Sequence, residues 1–259
     1  MSRERERIFN LPPVVSAIIL ALAAIQLALV SLPEATAGLL FDRLAFVPAR
    51  LSFLLAPQAT LRALGASLAG DLSADEVAAF LNGAGRAWWT PLTYALLHGG
   101  WAHLAINCIT LAAFGSPVAR RFGDARFLLL LGLCALAGAA AHLVVHPFDI
   151  APVVGASAAI SGTMAAVARF AFARGGSLSE DPLHAEDEVL TKAQSLRDLA
   201  SNRRALFFLA TWFGVNLAMG LFPQGSAAPG GIAWQAHIGG FIAGLLLFDW
   251  IDPIRRNAT

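Results

Sequence analysis

Residues 155–173 read Gly-Ala-Ser-Ala-Ala-Ile-Ser-Gly-Thr-Met-Ala-Ala-Val-Ala-Arg-Phe-Ala-Phe-Ala. The stretch is apolar enough to lie in a membrane, but from Ser157 to Ala173 it offers about 17 residues where a full crossing takes about 20. Its start is therefore expected below the membrane surface, with Arg169 snorkelling near its far end. Ala158, Gly162 and Ala166 recur every fourth residue, so one helix face is smooth and another backbone can lie directly against it. A matching face exists in Ala236, Gly240 and Gly244. If the two faces meet, Ser157 and His237, each near the start of its helix, are carried toward one another.

Further apolar runs flank this one. Candidate spans are 13–32, 91–114, 127–146, 157–173, 205–221 and 234–250, and composition agrees with them. Of 259 residues, 57% are hydrophobic and 14% charged, against roughly 25% charged in an ordinary soluble domain. A water-soluble fold and a large second domain are excluded, and the net charge of +1 gives no reason to expect nucleic acid. The expected fold is an all-α membrane protein, a compact six-transmembrane-helix bundle occupying 13–250 between tails 1–12 and 251–259. The basic start and Ala35-Thr36-Ala37 also fit a signal peptide, but the first apolar run is longer than a usual h-region of about 7–15 residues, so an uncleaved span is preferred.

Basic residues orient the bundle. Arg3, Arg5 and Arg7 precede the first span, Arg120, Arg121 and Arg126 follow the second, and Arg174, Lys192, Arg197, Arg203 and Arg204 lie in the 174–204 connection. The connections 147–156 and 222–233 have neither Lys nor Arg, so they are read as external and both termini as cytoplasmic. The 33–89 segment is a long external loop with structure of its own. Pro57 breaks the uncharged run 51–61, which is too short to span, and Ser73-Ala-Asp-Glu76 is a capping box opening a helix that Asn82-Gly83 stops. The 174–204 connection, with its acidic cluster Glu186, Asp187 and Glu188, is read as a solvated tether.

Polar side chains inside spans are costly and face partners or water. His103 and Asn107 are four apart and share one face of the second span, with Thr110 beyond them. Thr110 and Asn216 are read as glue between helices. Ser157 and His237 read as chemistry, because a serine hydroxyl becomes a nucleophile when an imidazole takes its proton. Asp249 is twelve residues from His237, about 18 Å along a helix, too far to orient the ring. The expectation is a Ser157/His237 dyad with the pair about 2.6–3.5 Å apart. The backbone N–H of Ser157 at a helix start, Asn107 and His103 would stabilise the oxyanion. Ser161 is an alternative nucleophile one turn deeper. His142, His146 and Asp149 suggest a metal site only loosely, without a glutamate in the His-Glu-x-x-His manner, so no metal and no cofactor is expected. Cys108 and Cys134, both in apolar runs, are read as reduced packing residues.

His98-Gly-Gly-Trp-Ala-His103-Leu-Ala-Ile-Asn107, then Gly115…Arg120-Arg121-Phe-Gly123, then Gly155-Ala-Ser157, then Ala236-His237-Ile-Gly239-Gly240-Phe-Ile-Ala-Gly244 together resemble the motifs of the rhomboid intramembrane serine proteases over about residues 85–250. The resemblance implies cleavage of transmembrane segments of other membrane proteins, with Ser157 as nucleophile, His237 as base and His103 and Asn107 at the oxyanion. It also implies substrate entry near the fifth span and the 222–233 loop. Ala158 departs from the glycine that normally follows the nucleophile. Ser161 stands where some members carry an aromatic packing on the histidine, and Trp88-Trp89 with Arg86 nearby replaces a Trp-Arg pair. The alternative reading is a catalytically silent rhomboid-like protein that binds membrane partners. A bacterial-type cell membrane is the expected location, with the lipid bilayer and transmembrane proteins as partners.

Overall fold

A computed structural model of the chain describes residues 11–67, 73–82, 88–173, 192–221 and 233–254. Residues 1–10 and 255–259, Gly83, Arg86, the Glu186–Glu188 cluster and most of the 222–233 loop lie outside the described residues. Within them the protein is helical, with one isolated antiparallel bridge between Phe46 and Val153.

Helix α1 spans Pro13–Ser31, opened by Pro12-Pro13, whose fixed φ suits a first turn, and closed before Pro33. Four shorter helices follow: α2 Glu34–Leu44, α3 Pro48–Leu55, α4 Pro57–Ser67 and α5 Ala74–Asn82. Pro57 separates α3 from α4, as the sequence suggests. The capping box forms: Ser73 Oγ accepts from the Glu76 backbone N–H at 3.2 Å, and Glu76 Oε2 accepts from the Ser73 N–H at 2.8 Å. That bond from the Ser73 backbone, with one from its hydroxyl, holds the Glu76 carboxyl below the usual glutamate range. A depressed folded-state value means that the cap is intact above the ordinary carboxylate range and is lost as pH falls through the lowered value. Hydrogen exchange of α5 amides, corrected for intrinsic rates, is expected to rise across that interval. Glu76→Gln, a neutral cap, removes the pH dependence.

The second long helical path departs from the expected 91–114. Thr90–Thr93 (α6) and a 3₁₀ turn Tyr94–Leu96 precede a break at His98-Gly99-Gly100, and the membrane helix begins at Trp101. Two adjacent glycines cost roughly 2 kcal/mol of helix propensity relative to alanine, enough to end the apolar run as a helix. The helix then runs further than expected, through α7 Trp101–Thr110, a π-helical turn Leu111–Gly115 and α8 Ser116–Phe122. The turn precedes Pro117, which has no N–H to donate, and the Ser116 hydroxyl donates to the Ala112 carbonyl at 2.6 Å. Gly123, at φ +73, joins α8 directly to α9 Asp124–Val145. Then come α10 Ser157–Phe170, the short α11 Leu196–Ser201, α12 Arg203–Leu221 and α13 Trp234–Ile251.

Three described helical paths, Pro13–Ser31, Trp101–Phe122 and Asp124–Val145, are long and apolar enough to cross a membrane. Large apolar side chains on them face outward, such as Ile106 at 66% and Val144 at 81% exposure. That surface suits lipid and would be insoluble in water. The 14-residue α10 is the reverse case: nearly every side chain after Ser157 is buried. Its small residues admit neighbours from several sides. A Cβ at Gly240 or Gly244 would strike the backbone of Ala158 or Gly162, so α10 and α13 run in parallel with their small-residue faces in contact. On α9, a Cβ at Gly138 would meet Ala158 Cβ at 2.5 Å and the Ala236 carbonyl at 2.7 Å. The sequence-based pairing of the two stripes is thus realised, with α9 as a third member.

Arg169 does not snorkel. It is fully buried, its guanidinium 2.6 Å from Asp249 and donating to the carbonyls of Leu245 and Gln194 at 2.9 and 2.8 Å. Packing on all sides of α10 leaves the side chain no route to solvent, so it is neutralised in place. Arg121 makes a two-pronged pair with Asp252 at 2.9 and 3.0 Å nearby. These pairs tie α8, α10 and α13 together far from Ser157, and they account for Asp249 without His237.

Candidate active site

The approach to Ser157 is fixed from the first loop. Phe46 and Val153 exchange backbone hydrogen bonds at 3.1 and 2.7 Å, Ala49 N–H donates to the Asp149 carbonyl at 2.9 Å, and the Ser52 hydroxyl donates to the Pro147 carbonyl at 2.6 Å. The Gly155 N–H donates to the Tyr94 carbonyl at 3.0 Å, while the buried Tyr94 hydroxyl donates to the Ala135 carbonyl at 2.9 Å. The segment before α10 is therefore clamped between the loop helices and α9. Gly155 then turns the chain at φ +121, a conformation closed to most L-residues, and Ser157 is the first residue of α10. Its backbone N–H is among those a helix start leaves without an intrahelical partner.

His103 faces this turn. A Cβ on Gly155 would lie 2.8 Å from both Cε1 and Nε2 of His103 and 3.6 Å from Ser157 Oγ, so glycine leaves room for the ring beside the hydroxyl. The Gly99 N–H donates to His103 Nδ1 at 3.4 Å, which places the ring proton on Nε2, the nitrogen turned toward Gly155. His98 packs edge-on against His103, ring centroids 5.1 Å apart. One turn along, buried Asn107 donates from Nδ2 to the His103 carbonyl at 3.0 Å, which puts both on one face of α7. Thr110 instead donates to Ile106 of its own helix at 2.7 Å, so it is not interhelical glue. A hydroxyl one turn above a helical carbonyl is satisfied locally without a neighbour.

His237 lies on α13 beside Ala236, at the level where Gly138, Ala158 and Ala236 converge, and near enough to His103 for the two rings to interact electrostatically. Ser157 and His237 thus flank one helix crossing. No hydrogen bond joins Ser157 Oγ to His237 among the described residues, so the expected contact is absent from this resting arrangement. His237 Nδ1 lies instead 2.7 Å from Asn216 Oδ1 on α12. Ser161 is buried, its hydroxyl donating to the Ser157 carbonyl at 2.8 Å, so that proton is directed into the helix. Cys108 and Cys134 are both free thiols, Cys134 buried against Gly162. Toward the ends of α9 and α13, His146 Nε2 meets Gln235 Nε2 at 2.7 Å, and His142 Nε2 is 3.9 Å from Asp149.

A helical bundle with a lipid-facing apolar surface and an inward cluster of serine, two histidines and asparagine belongs to the class of polytopic membrane proteins with an internal polar site. Residues 85–251 match the Rhomboid domain family, and the chain belongs to that family. It is a multi-pass integral membrane protein. The rhomboid protease GluP of Bacillus subtilis (strain 168) is 41% identical over 80 residues, which cover 31% of this chain and 15% of that protein. RHOMBOID-like protein 5 of Arabidopsis thaliana is 28% identical over 213 residues, 81% of this chain and 56% of that protein. RHOMBOID-like protein 4 of the same plant is 29% identical over 185 residues, 67% of this chain and 38% of that protein. The chain thus spans well under two thirds of each of these relatives.

Proposed function

We propose that the protein is an intramembrane serine endopeptidase that cleaves transmembrane segments of other membrane proteins. The observation that carries this reading is the convergence of the His103 ring and Ser157 Oγ at Gly155, with His237 flanking the same crossing. Ser157 Oγ attacks the scissile carbonyl as its proton passes to His237 Nε2. The tetrahedral oxyanion receives hydrogen bonds from the Ser157 N–H, His103 Nε2–H and the Asn107 amide. His237 then protonates the leaving amine, and water, deprotonated by the same ring, releases the acyl group and restores the serine.

In the bilayer the chain crosses six times, with both termini on the cytoplasmic side. Its charge pattern supports this, because the connections 147–156 and 222–233 carry no basic residue. A bacterial-type cell membrane is the proposed location. The second reading, a silent family member that binds membrane partners, has one observation in its favour: the missing bond between Ser157 and His237. Resting catalytic contacts are often loose and tighten with substrate, which favours the enzyme.

The test is cleavage of a reporter transmembrane helix co-reconstituted in vesicles, with and without chelator, by wild type and Ser157→Ala. Cleavage lost in Ser157→Ala and unaffected by chelator is the expected result. Equal cleavage by both proteins overturns the serine mechanism. Gly155→Ala tests the geometry. The new Cβ needs the φ that alanine avoids and displaces the His103 ring, so kcat is expected to fall about 100-fold with the nucleophile intact. Retention of wild-type kcat would mean that His103 is not held where the oxyanion forms.

A further inference from the structure

Asn216, expected only to hold helices together, is arranged to do more. Its Nδ2 donates to the Trp212 carbonyl of its own helix at 2.9 Å, which settles the amide orientation and leaves Oδ1 as the atom facing His237. Oδ1 can only accept, so the 2.7 Å contact requires the proton on His237 Nδ1 and leaves the Nε2 lone pair free. Asn216 is buried, and its register is set one turn away, where Trp212 stacks on Phe241 with ring centroids 4.2 Å apart. Four residues on from Trp212 is Asn216, and four back from Phe241 is His237. The Ser161 hydroxyl on α10 is occupied by the Ser157 carbonyl of its own helix.

We propose that Asn216 is a positioning residue that holds His237 in the Nδ1–H tautomer, with Nε2 available as the base, doing without charge what a carboxylate does in a catalytic triad. The inference rests on the serine-protease reading above. The titratable group that acts on the ring is His103 from α7. His146 lies against Gln235, two residues before His237 on α13, and its ring packs on His142. Among the described residues no carboxylate is bonded to His237. The amide therefore fixes the tautomer without placing a fixed negative charge beside the ring.

The experiment compares wild type, Asn216→Leu and Asn216→Asp in vesicles containing a reporter transmembrane helix, reading kcat, KM and the pH profile of kcat/KM. Asn216→Leu is expected to lower kcat about 10- to 100-fold with little change in KM, the scale on which orienting partners of metal-bound imidazoles act. Asn216→Asp restores an acceptor and adds a negative charge that favours imidazolium. Its acid limb is therefore expected to move to higher pH by about one unit or more. Should Asn216→Leu fail to fold, the acid limb of Asn216→Asp still decides. An unmoved acid limb in Asn216→Asp, or wild-type kcat in Asn216→Leu, overturns the proposal and leaves Asn216 as helix glue. Wild-type cleavage by Ser157→Ala in the same vesicles would instead overturn the protease reading, whatever Asn216 does.

Discussion

Ser157→Ala is expected to lower kcat/KM for a transmembrane reporter on the order of 10⁴-fold or more, and His237→Ala by a similar factor. The double variant is expected to be no slower than either single one. Under the proposed mechanism the nucleophile and its base act in one proton transfer, so removing either abolishes the step and removing the second costs nothing further. What remains is catalysis by the oxyanion donors, which both variants keep. Ser157 is half-buried and its Oγ bonds to no described residue, so alanine leaves the packing of α10 untouched. The thermal midpoint of Ser157→Ala should accordingly match wild type within a degree or two, which separates chemistry from unfolding. Losses that multiply in the double variant would show that the two residues act in separate steps.

Gly240→Leu is expected to prevent assembly of the bundle, at more than about 3 kcal/mol. The first added atom would already sit within the Ala158 backbone, where no rotamer change can make room. The helices α10 and α13 would have to separate, while the neighbouring Gly239, whose own Cβ would lie 2.6 Å from the Ala137 carbonyl, holds α13 against α9. The matched control is Gly214→Leu on α12, an exposed position with open space around its Cβ. Unfolding in graded detergent should leave Gly214→Leu near wild type and find Gly240→Leu unfolded throughout. Equal midpoints for the two variants would mean that the close approach is not what holds α10.

Much of this was legible in the sequence because membrane burial leaves a plain signal. Scarce charge and long apolar runs mark the helices, since lipid can satisfy no backbone group outside one. The four-residue spacing of small side chains marks which faces meet. The Ser73–Glu76 box needed only local rules, all of its partners lying within one turn. Less legible were features decided by neighbours. The start of α7 at Trp101 depended on the Gly99-Gly100 break, inside a run that hydropathy alone treats as continuous. Arg169 looked like a residue reaching for the surface, because nothing along its own helix reveals Asp249 on α13.

The polar site divides the same way. Residue type and spacing pointed to Ser157, His237, His103 and Asn107; small-residue faces let α10 and α13 approach, and the glycine at 155 admits the His103 ring of α7. Which nitrogen of each imidazole carries a proton is a different matter. It follows from Gly99 on one ring and Asn216 on the other, contacts set by a turn and by the Trp212–Phe241 stack. Composition and periodicity determined that this chain is a membrane bundle with a serine and a histidine among its few intramembrane polar groups. Only the tertiary structure decided their partners, because hydrogen bonds between helices depend on depth and rotation that a linear pattern does not encode.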